Sequence, residues 1–275
     1  MSMDQAKNAL REWEKQNRSY ETSDFEMLYD MWVRQAFGKL NSGIQERFFE
    51  KIDDWMLYTY TFLQGTAAQN EAKERILQAG RIFNAEIEKV EDMKSLTIDE
   101  LTYLAEQQCS KGKLYSFAQG GLTGAGGYLL LGIDFPLMIG LNLRTIQLVG
   151  YTFGYEMNHP YEMVLALKVF HGATLPKRLR MNAWSHLKKE ITTHTPYIYD
   201  GEDQLTDESW LEQPLRQIFK SVLILMFRKK LFQGLPLISI GIGAFANYSL
   251  SRQVTDFAMK IYQYRYLLEH GELEG

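Results

Sequence analysis

The sequence has a single cysteine and no surplus of positive charge, and each of these absences excludes a class of protein. Its 275 residues include six prolines and one cysteine, Cys109, so no disulfide can form within the chain and a reducing compartment is the simpler setting. The formal net charge of -4 lacks the basic surplus of nucleic-acid-binding domains. The charged start, MSMDQAKNALREWEKQ, lacks the apolar core of a secretory signal. We therefore predict a cytoplasmic protein with no nucleic-acid partner.

Catalytic signatures are also missing. The chain contains no Walker loop and no HExxH, GxSxG or paired-cysteine metal motif, and a GxGxxA match at residues 241–246 has no surrounding βαβ unit. His186, Glu190 and His194 are spaced i, i+4, i+8 and could form a metal site on one helix face. Two exposed histidines on a basic helix are the simpler interpretation. We predict no cofactor and no catalytic residue, and the sequence supports no assignment as an enzyme.

Apolar residues recur at helical spacing along most of the chain, and alternating strand patterns are almost absent. The sequence therefore predicts an all-α fold, a multi-helix bundle. Thr97 and Glu100 fit a capping box at the start of one helix. The other predicted helices include Asp4 to Gln16, Ala67 to about Val90, Tyr161 to Phe170, Lys177 to about Thr192 and Leu250 to about His270.

The segment from Leu114 to Leu143 is rich in glycine and poor in charge. It carries seven of the 21 glycines and one charged residue, Asp134. Small residues four apart flatten one helix face, so that a second helix can approach closely. The residues we assign to this helix packing are Gly120, Gly121, Gly124 and Gly127.

Two glycine-rich apolar elements are candidates for membrane contact. A bilayer core takes roughly 20 helical residues, and Leu114–Ile133 and Phe135–Gly154 would form a hairpin of that size with Asp134 at the turn. Asp134 would cap the second helix, with Pro136 in its first turn. The second element, Leu231 to Leu250, contains no charge. The alternative is a helix pair buried in a soluble core.

A polar stripe follows on the same helix. Arg144, Gln147, Tyr151 and Tyr155 are spaced i, i+3, i+7, i+11, which places them on one helix face that we expect to continue to Tyr155. Asp134 would lie about 15 Å from Arg144, too far for a direct pair. An internal salt bridge and an anionic lipid or phosphate headgroup both remain candidate partners for Arg144.

A basic helix follows in the second half of the chain. Its five basic residues predict a surface that lies against anionic lipid headgroups. The alternatives are pairing with the acidic segment at residues 196–208, or simple solvation. The basic residues are Lys177, Arg178, Arg180, Lys188 and Lys189.

The central block resembles the EcsC family. There, a glycine-rich apolar segment leads to an Asp-x-Pro step, then to an Arg and a Gln three residues later, and to a Gly-Tyr. The corresponding residues are Asp134, Pro136, Arg144, Gln147, Gly154 and Tyr155, and Pro236 and Asn247 match a similar C-terminal pattern. The resemblance runs from about Ser42 to Leu268. It implies an EcsC-like helical domain at residues 42–275 and an N-terminal helical extension at residues 1–41.

The resemblance implies a bacterial accessory protein, since the family is named for a product encoded beside an ABC transporter and its own activity is not established. We predict a membrane-associated binding protein on the cytoplasmic face of the cell membrane. Its partners would be membrane lipids or a membrane protein, with an ABC transporter among the candidates. Asp134 would cap and orient the central helix, and Arg144 and Gln147 would make a buried polar contact. Asn247 would have the equivalent role in the second element. Two alternatives stay open: a soluble all-α scaffold, and a hydrolase or lipid-modifying enzyme using Asp134 or the His186 stripe.

Overall fold

The computed structural model describes residues 3–18, 67–110, 128–175, 177–193 and 236–273. In 67–68, 128–137, 177–179 and 236–247 the backbone alone is described. The regular elements within these ranges are helices, and none of the described residues forms a strand. The all-α prediction is confirmed.

Seven α-helices and one short 3₁₀ helix make up the described part of the chain. They are α1 (Met3–Arg18), α2 (Ala67–Gly80), the 3₁₀ helix (Val90–Ser95), α3 (98–110), α4 (Tyr128–Thr152), α5 (Pro160–Thr174), α6 (Lys177–Thr193) and α7 (Pro236–Glu269).

Local signals explain where several helices begin. The predicted capping box is present before α3: the Thr97 amide donates to Glu100 Oε2 at 2.8 Å, and the Glu100 amide donates to Thr97 Oγ1 at 3.4 Å. Pro160 occupies the first turn of α5, where its missing N–H leaves no bond unmade. Both helix starts follow from short stretches of sequence.

The prediction of one helix from Ala67 to Val90 is wrong, because α2 ends at Gly80. A Cβ atom at Gly80 would lie 2.5 Å from the Met93 sulfur, so the chain folds back closely against this glycine. The returning segment buries Ile87, Val90 and Met93. Burial of these apolar side chains outweighs the local preference for a longer helix.

The long helix α7 is central to the bundle and packs most extensively against α4 and α5. Glu162, at the start of α5, contacts Arg265 near the end of α7. At the other end of α5, Gly172 lies against Phe257 and the Ala173 carbonyl accepts from Gln253. Helix α5 is therefore antiparallel to α7. We call the end of the bundle that contains Glu269 the lower end, and the opposite end the upper end.

Helices α1 and α3 also run antiparallel to α7. In α1, Lys7 pairs with Glu272 at 3.6 Å, whereas Trp13 donates to Asp256 at 3.0 Å, so α1 runs towards the upper end. The Leu96 carbonyl, two residues before α3, accepts from Tyr266 at 3.1 Å, and Thr102 Oγ1 within α3 accepts from Gln263 at 3.0 Å, so α3 also runs towards the upper end.

Helix α6 runs in the same direction as α7. Trp184 packs on Phe257, and Thr192 contacts Tyr264, nearer to the lower end. The start of α6 therefore lies at the upper end of the bundle.

Helix α4 finishes at the lower end. Its last turn approaches α7, since a Cβ at Gly150 would lie 3.0 Å from the Tyr262 hydroxyl, and Phe153 stacks on the same ring at 6.3 Å. Residues from Ile139 to Val149 include many buried side chains, and α4 packs along both α5 and α7. Because α5 and α7 extend upwards from this end, α4 runs parallel to α7 and begins at the upper end.

Candidate functional site

The predicted polar stripe is interrupted by the end of α4. The amide of Tyr155 donates to the Gly150 carbonyl and the amide of Gly154 to the Tyr151 carbonyl, both at 3.0 Å, and Gly154 has φ +84°. This is the Schellman arrangement that closes a helix. Arg144, Gln147 and Tyr151 share α4, but Tyr155 follows the turn. The prediction that the helix continues to Tyr155 is wrong.

The prediction that Asp134 begins a helix is also wrong. Helix α4 starts at Tyr128 and continues through Asp134 and Pro136 to Thr152. A hairpin with its turn at Asp134 is therefore excluded. Residue types that often begin a helix do not do so where long apolar sequences on both sides favour one continuous helix. Helix α4 therefore continues through Asp134 and Pro136. The side chains of Asp134, Pro136 and Asn247 lie outside the described residues, as do Gly120, Gly121, Gly124 and Gly127.

Arg144 lies half-buried on α4. Its burial, together with the positive charge of Arg75 on α2, lowers its pKa, while Glu71 acts in the opposite direction. Gln147, one turn further along α4, is 3 % exposed. Its Nε2 has no hydrogen-bond partner among the described contacts. Arg144 thus marks the boundary between the apolar beginning of α4 and a polar region at its end.

This polar region centres on the Tyr151 hydroxyl. Gln69 Nε2 donates to the Tyr151 hydroxyl at 2.9 Å and to Asn158 Oδ1 at 3.2 Å. Lys73 pairs with Glu156 beside them. Within the described structure, Gln69 Oε1 and Glu156 Oε1 are buried without a partner. The region ties α2 to the end of α4 and to the turn that follows.

A second polar cluster surrounds Arg265 and has the strongest pairing in the described structure. Arg265 donates from both terminal nitrogens to the two oxygens of Glu162, each at 2.7 Å, with the two side chains 9 % and 8 % exposed. Its guanidinium carbon lies 3.5 Å from the centre of the Tyr155 ring. Burial is the largest single influence and acts to lower the pKa of Arg265, but Glu162 together with Tyr155 and Tyr262 more than offsets it, and the pKa lies above its ordinary value. This pair locks α5 to α7.

The Tyr155 hydroxyl extends this cluster to the surface of the lower end. It donates to Glu269 Oε1 at 2.9 Å, and Lys94 donates to Glu269 Oε2 at 2.8 Å. Sequence reasoning selected Tyr155 but missed Glu162, Glu269 and Arg265. Two opposite charges within apolar helices were the available signal, since such charges need partners.

Buried tyrosines make stability sensitive to alkaline pH. Burial raises the pKa of Tyr151, Tyr155 and Tyr262 above the ordinary value of 10.0. These hydroxyls stay neutral in the folded protein but ionise in the unfolded chain above pH 10. Their contribution to the free energy of unfolding is therefore complete below that pH and is lost as the pH rises beyond it. We expect the free energy of unfolding, measured in urea, to fall steeply above about pH 10.

The matched variants are Tyr262→Phe, which removes a fully buried hydroxyl, and Tyr103→Phe, which removes an exposed one. Tyr262→Phe should make the alkaline loss of stability shallower than Tyr103→Phe does. Equal pH dependence in the two variants would contradict the assignment of the alkaline loss of stability to buried tyrosine hydroxyls.

The basic helix α6 does not present all its charges to solvent. Arg180 is 9 % exposed and donates to the Leu175 carbonyl at 3.2 Å. Lys188 donates to Glu14 on α1 at 2.7 Å. Both side chains are therefore held by internal partners, which argues against lipid contact for these two residues, while the lipid-facing surface as a whole stays a prediction. Lys189 is exposed, and the side chains of Lys177 and Arg178 lie outside the described residues.

Glu14 joins α1 to an aromatic cluster. It accepts from Trp184 Nε1 at 2.7 Å, on the same oxygen that Lys188 contacts. Trp13 packs edge-on against Trp184, with 4.9 Å between ring centres. Helix α1 is thus docked on α6 and α7.

The weak metal candidate consists of His186, Glu190 and His194. Glu190 pairs with Lys168 at 2.5 Å, and His186 is exposed, while His194 lies outside the described residues. Across the ranges that the structure describes, no group of three or more metal-ligating side chains is present.

The upper end of the bundle combines uncharged helix with basic residues. Residues 128–143 of α4 contain one charge, Asp134, and residues 236–251 of α7 contain none. Each of these segments is about 24 Å long. At the level where they meet the core, the helix directions described above place basic residues from three helices: Lys15, Arg18, Arg144 and Arg252.

No helix in the described ranges is both long enough and apolar enough to span a bilayer.

Comparisons with known proteins identify the family. The model of the EcsC protein family matches residues 4–267. The uncharacterized protein YdbA of Bacillus subtilis (strain 168) is 24% identical over 265 residues, covering 94% of this chain and 91% of YdbA. Protein EcsC of the same organism is 25% identical over 199 residues, covering 72% and 78% of the two chains.

No solved structure matches the chain. The family match begins inside α1, so the prediction that the resemblance starts near Ser42 is wrong. The division into residues 1–41 and 42–275 remains a prediction. A family match over nearly the whole length means that this chain belongs to the EcsC protein family.

Proposed function

We propose that this protein is a membrane-surface accessory protein that docks through the upper end of its bundle on the cytoplasmic face of the cell membrane. The observation that carries the proposal is the coincidence, at one end, of two nearly uncharged helix segments and a group of basic residues. An apolar segment that enters the headgroup region beside cations is the usual arrangement of a protein bound to anionic lipid.

The charge distribution supports this orientation. Arg18 and Arg252 are exposed at the upper level, where Asp256 is exposed as well, whereas the loop at residues 81–92 towards the lower end carries a net charge of -2. An anionic surface would attract the two arginines and repel the loop. The association with an ABC transporter or another envelope system, implied by the family resemblance, is part of the proposal.

Vesicle cosedimentation tests the proposal. The purified chain should bind vesicles of phosphatidylglycerol and phosphatidylcholine more tightly than vesicles of phosphatidylcholine alone. Basic residues near a lipid surface contribute ~1 kcal/mol each, so the double variant Arg18→Gln, Arg252→Gln should bind roughly 30-fold more weakly. High salt should also weaken binding, because it screens these charges.

Lys89→Glu is the matched control, since it changes net charge by the same two units at an exposed lower-end residue. It should leave vesicle binding nearly unchanged. Equal weakening of vesicle binding by both variants would show that the net charge of the protein alone controls binding, and that no particular end of the bundle docks. Absence of binding to either vesicle would favour the alternative of a soluble all-α scaffold.

A further inference from the structure

The loop after α2 displays two large apolar side chains to solvent. Ile82 is 80% exposed and Phe83 is 42% exposed. The loop lies at the lower end of the bundle, because the 3₁₀ helix that closes it holds Lys94 against Glu269. Isolated exposed apolar residues are ordinary, but two adjacent large ones at a loop tip form a compact apolar projection.

The loop holds this projection in a fixed shape. Arg81 Nε donates to the Ile87 carbonyl at 2.8 Å, and Asn84 Nδ2 donates to Ser95 Oγ at 3.0 Å. The Phe83 amide donates to the Gly80 carbonyl at 2.9 Å. Ile87 is fully buried directly below. The exposed side chains therefore stand on an anchored loop, and a partner would bind it with little loss of loop entropy.

Acidic residues outnumber basic ones in the loop that carries the projection, although Arg81 and Lys89 are exposed there as well. Residues 81–92 contain two basic and four acidic residues, a net charge of -2. Glu86, Glu88 and Glu91 are exposed. This charge would repel an anionic lipid surface and the same loop of a second copy, whereas it would attract a basic surface.

We propose that Ile82 and Phe83 anchor a protein partner that offers an apolar pocket rimmed by basic residues. An apolar centre with a polar rim around it is the usual arrangement of a protein interface. The loop is at the end opposite to the proposed membrane contact, and membrane docking does not depend on Ile82 or Phe83. A bound partner would therefore be held away from the lipid surface.

A photoreactive residue at Ala85, which is exposed beside the anchors, provides the first step of the test. Cross-linking in cells of the native host should yield a discrete protein adduct. The adduct is identified by mass spectrometry, and the partner is purified and titrated against the full chain. Adducts only with lipid or with a second copy, or the lack of any protein adduct, would overturn the proposal.

The titration decides whether the anchors carry the binding. Ile82→Ser, Phe83→Ser should raise the Kd by roughly 30-fold or more, since hot-spot residues dominate interface affinity. Tyr103→Ser, which changes an exposed aromatic residue on α3, should change the Kd less than about 3-fold. A Kd that is insensitive to the double variant would overturn the proposal.

A second pair of variants tests the acidic rim. Glu88→Lys should weaken partner binding more than Glu12→Lys, which makes the same charge change on exposed α1. Equal effects of the two variants would contradict a basic rim on the partner. Vesicle binding of the Ile82→Ser, Phe83→Ser variant should match that of the unaltered chain, so the two proposals fail independently.

Discussion

Replacing Glu162 with alanine should lower the free energy of unfolding by about 3–5 kcal/mol, because it leaves a buried guanidinium without its partner. Glu162 and Arg265 are each less than a tenth exposed and meet through two hydrogen bonds of 2.7 Å. Removing the carboxylate also removes the Coulombic attraction that offsets the cost of desolvating the Arg265 charge. Urea denaturation followed by circular dichroism at neutral pH measures the loss.

The control is the double variant Glu162→Ala, Arg265→Met, which removes both charges. It should be considerably more stable than Glu162→Ala alone, because an apolar side chain replaces the unpaired cation. Contact between the guanidinium and the Tyr155 ring would still be lost, so full recovery is not expected. A double variant less stable than the single variant would contradict the assignment of the cost to an unpaired buried charge.

Signals that act over a few residues predicted local structure well. The Thr97 capping box is present, and α1 and α6 begin and end within two residues of their predicted bounds. These features depend on hydrogen bonds and periodicity within one or two turns, which the sequence displays directly.

Predictions failed where the structure of a segment depends on its contacts with the rest of the fold. Asp134 and Pro136 have the residue types of a helix start, yet apolar sequence on both sides continues α4 through them. The i+11 spacing of Tyr155 assumed a straight helix, and Gly154 ends it. A glycine closes a helix where the chain must take positive φ, and tertiary contacts at this turn decide which glycine does so.

Long-range partners could not be predicted from residue spacing. Lys188 looked like one of several solvated cations on a basic helix, but its partner, Glu14, lies 174 residues away in the sequence. Glu162 and Arg265 are 103 residues apart. Which charge meets which depends on the direction and rotation of each helix in the bundle, and local periodicity sets neither.

The second large effect should come from Trp184→Ala, with an expected loss of about 3–5 kcal/mol in the free energy of unfolding. Trp184 is fully buried, lies 5.8 Å from Phe257 between ring centres, and donates to Glu14 at 2.7 Å. Alanine would leave a cavity where α1, α6 and α7 meet. Trp184→Phe should lose less, because it keeps most of the ring packing but removes the hydrogen bond to Glu14.

The same variant tests how independent the N-terminal residues are. Because Trp13 and Glu14 hold α1 to the bundle through Trp184, we expect Trp184→Ala to detach α1 and speed trypsin cleavage after Lys7 and Arg11. If the N-terminal extension predicted at residues 1–41 did not depend on the bundle for its order, it would be cleaved equally fast in Trp184→Ala and in the unaltered chain. Accelerated cleavage in Trp184→Ala, with slower cleavage in Trp184→Phe, would instead make α1 an integral helix of the bundle.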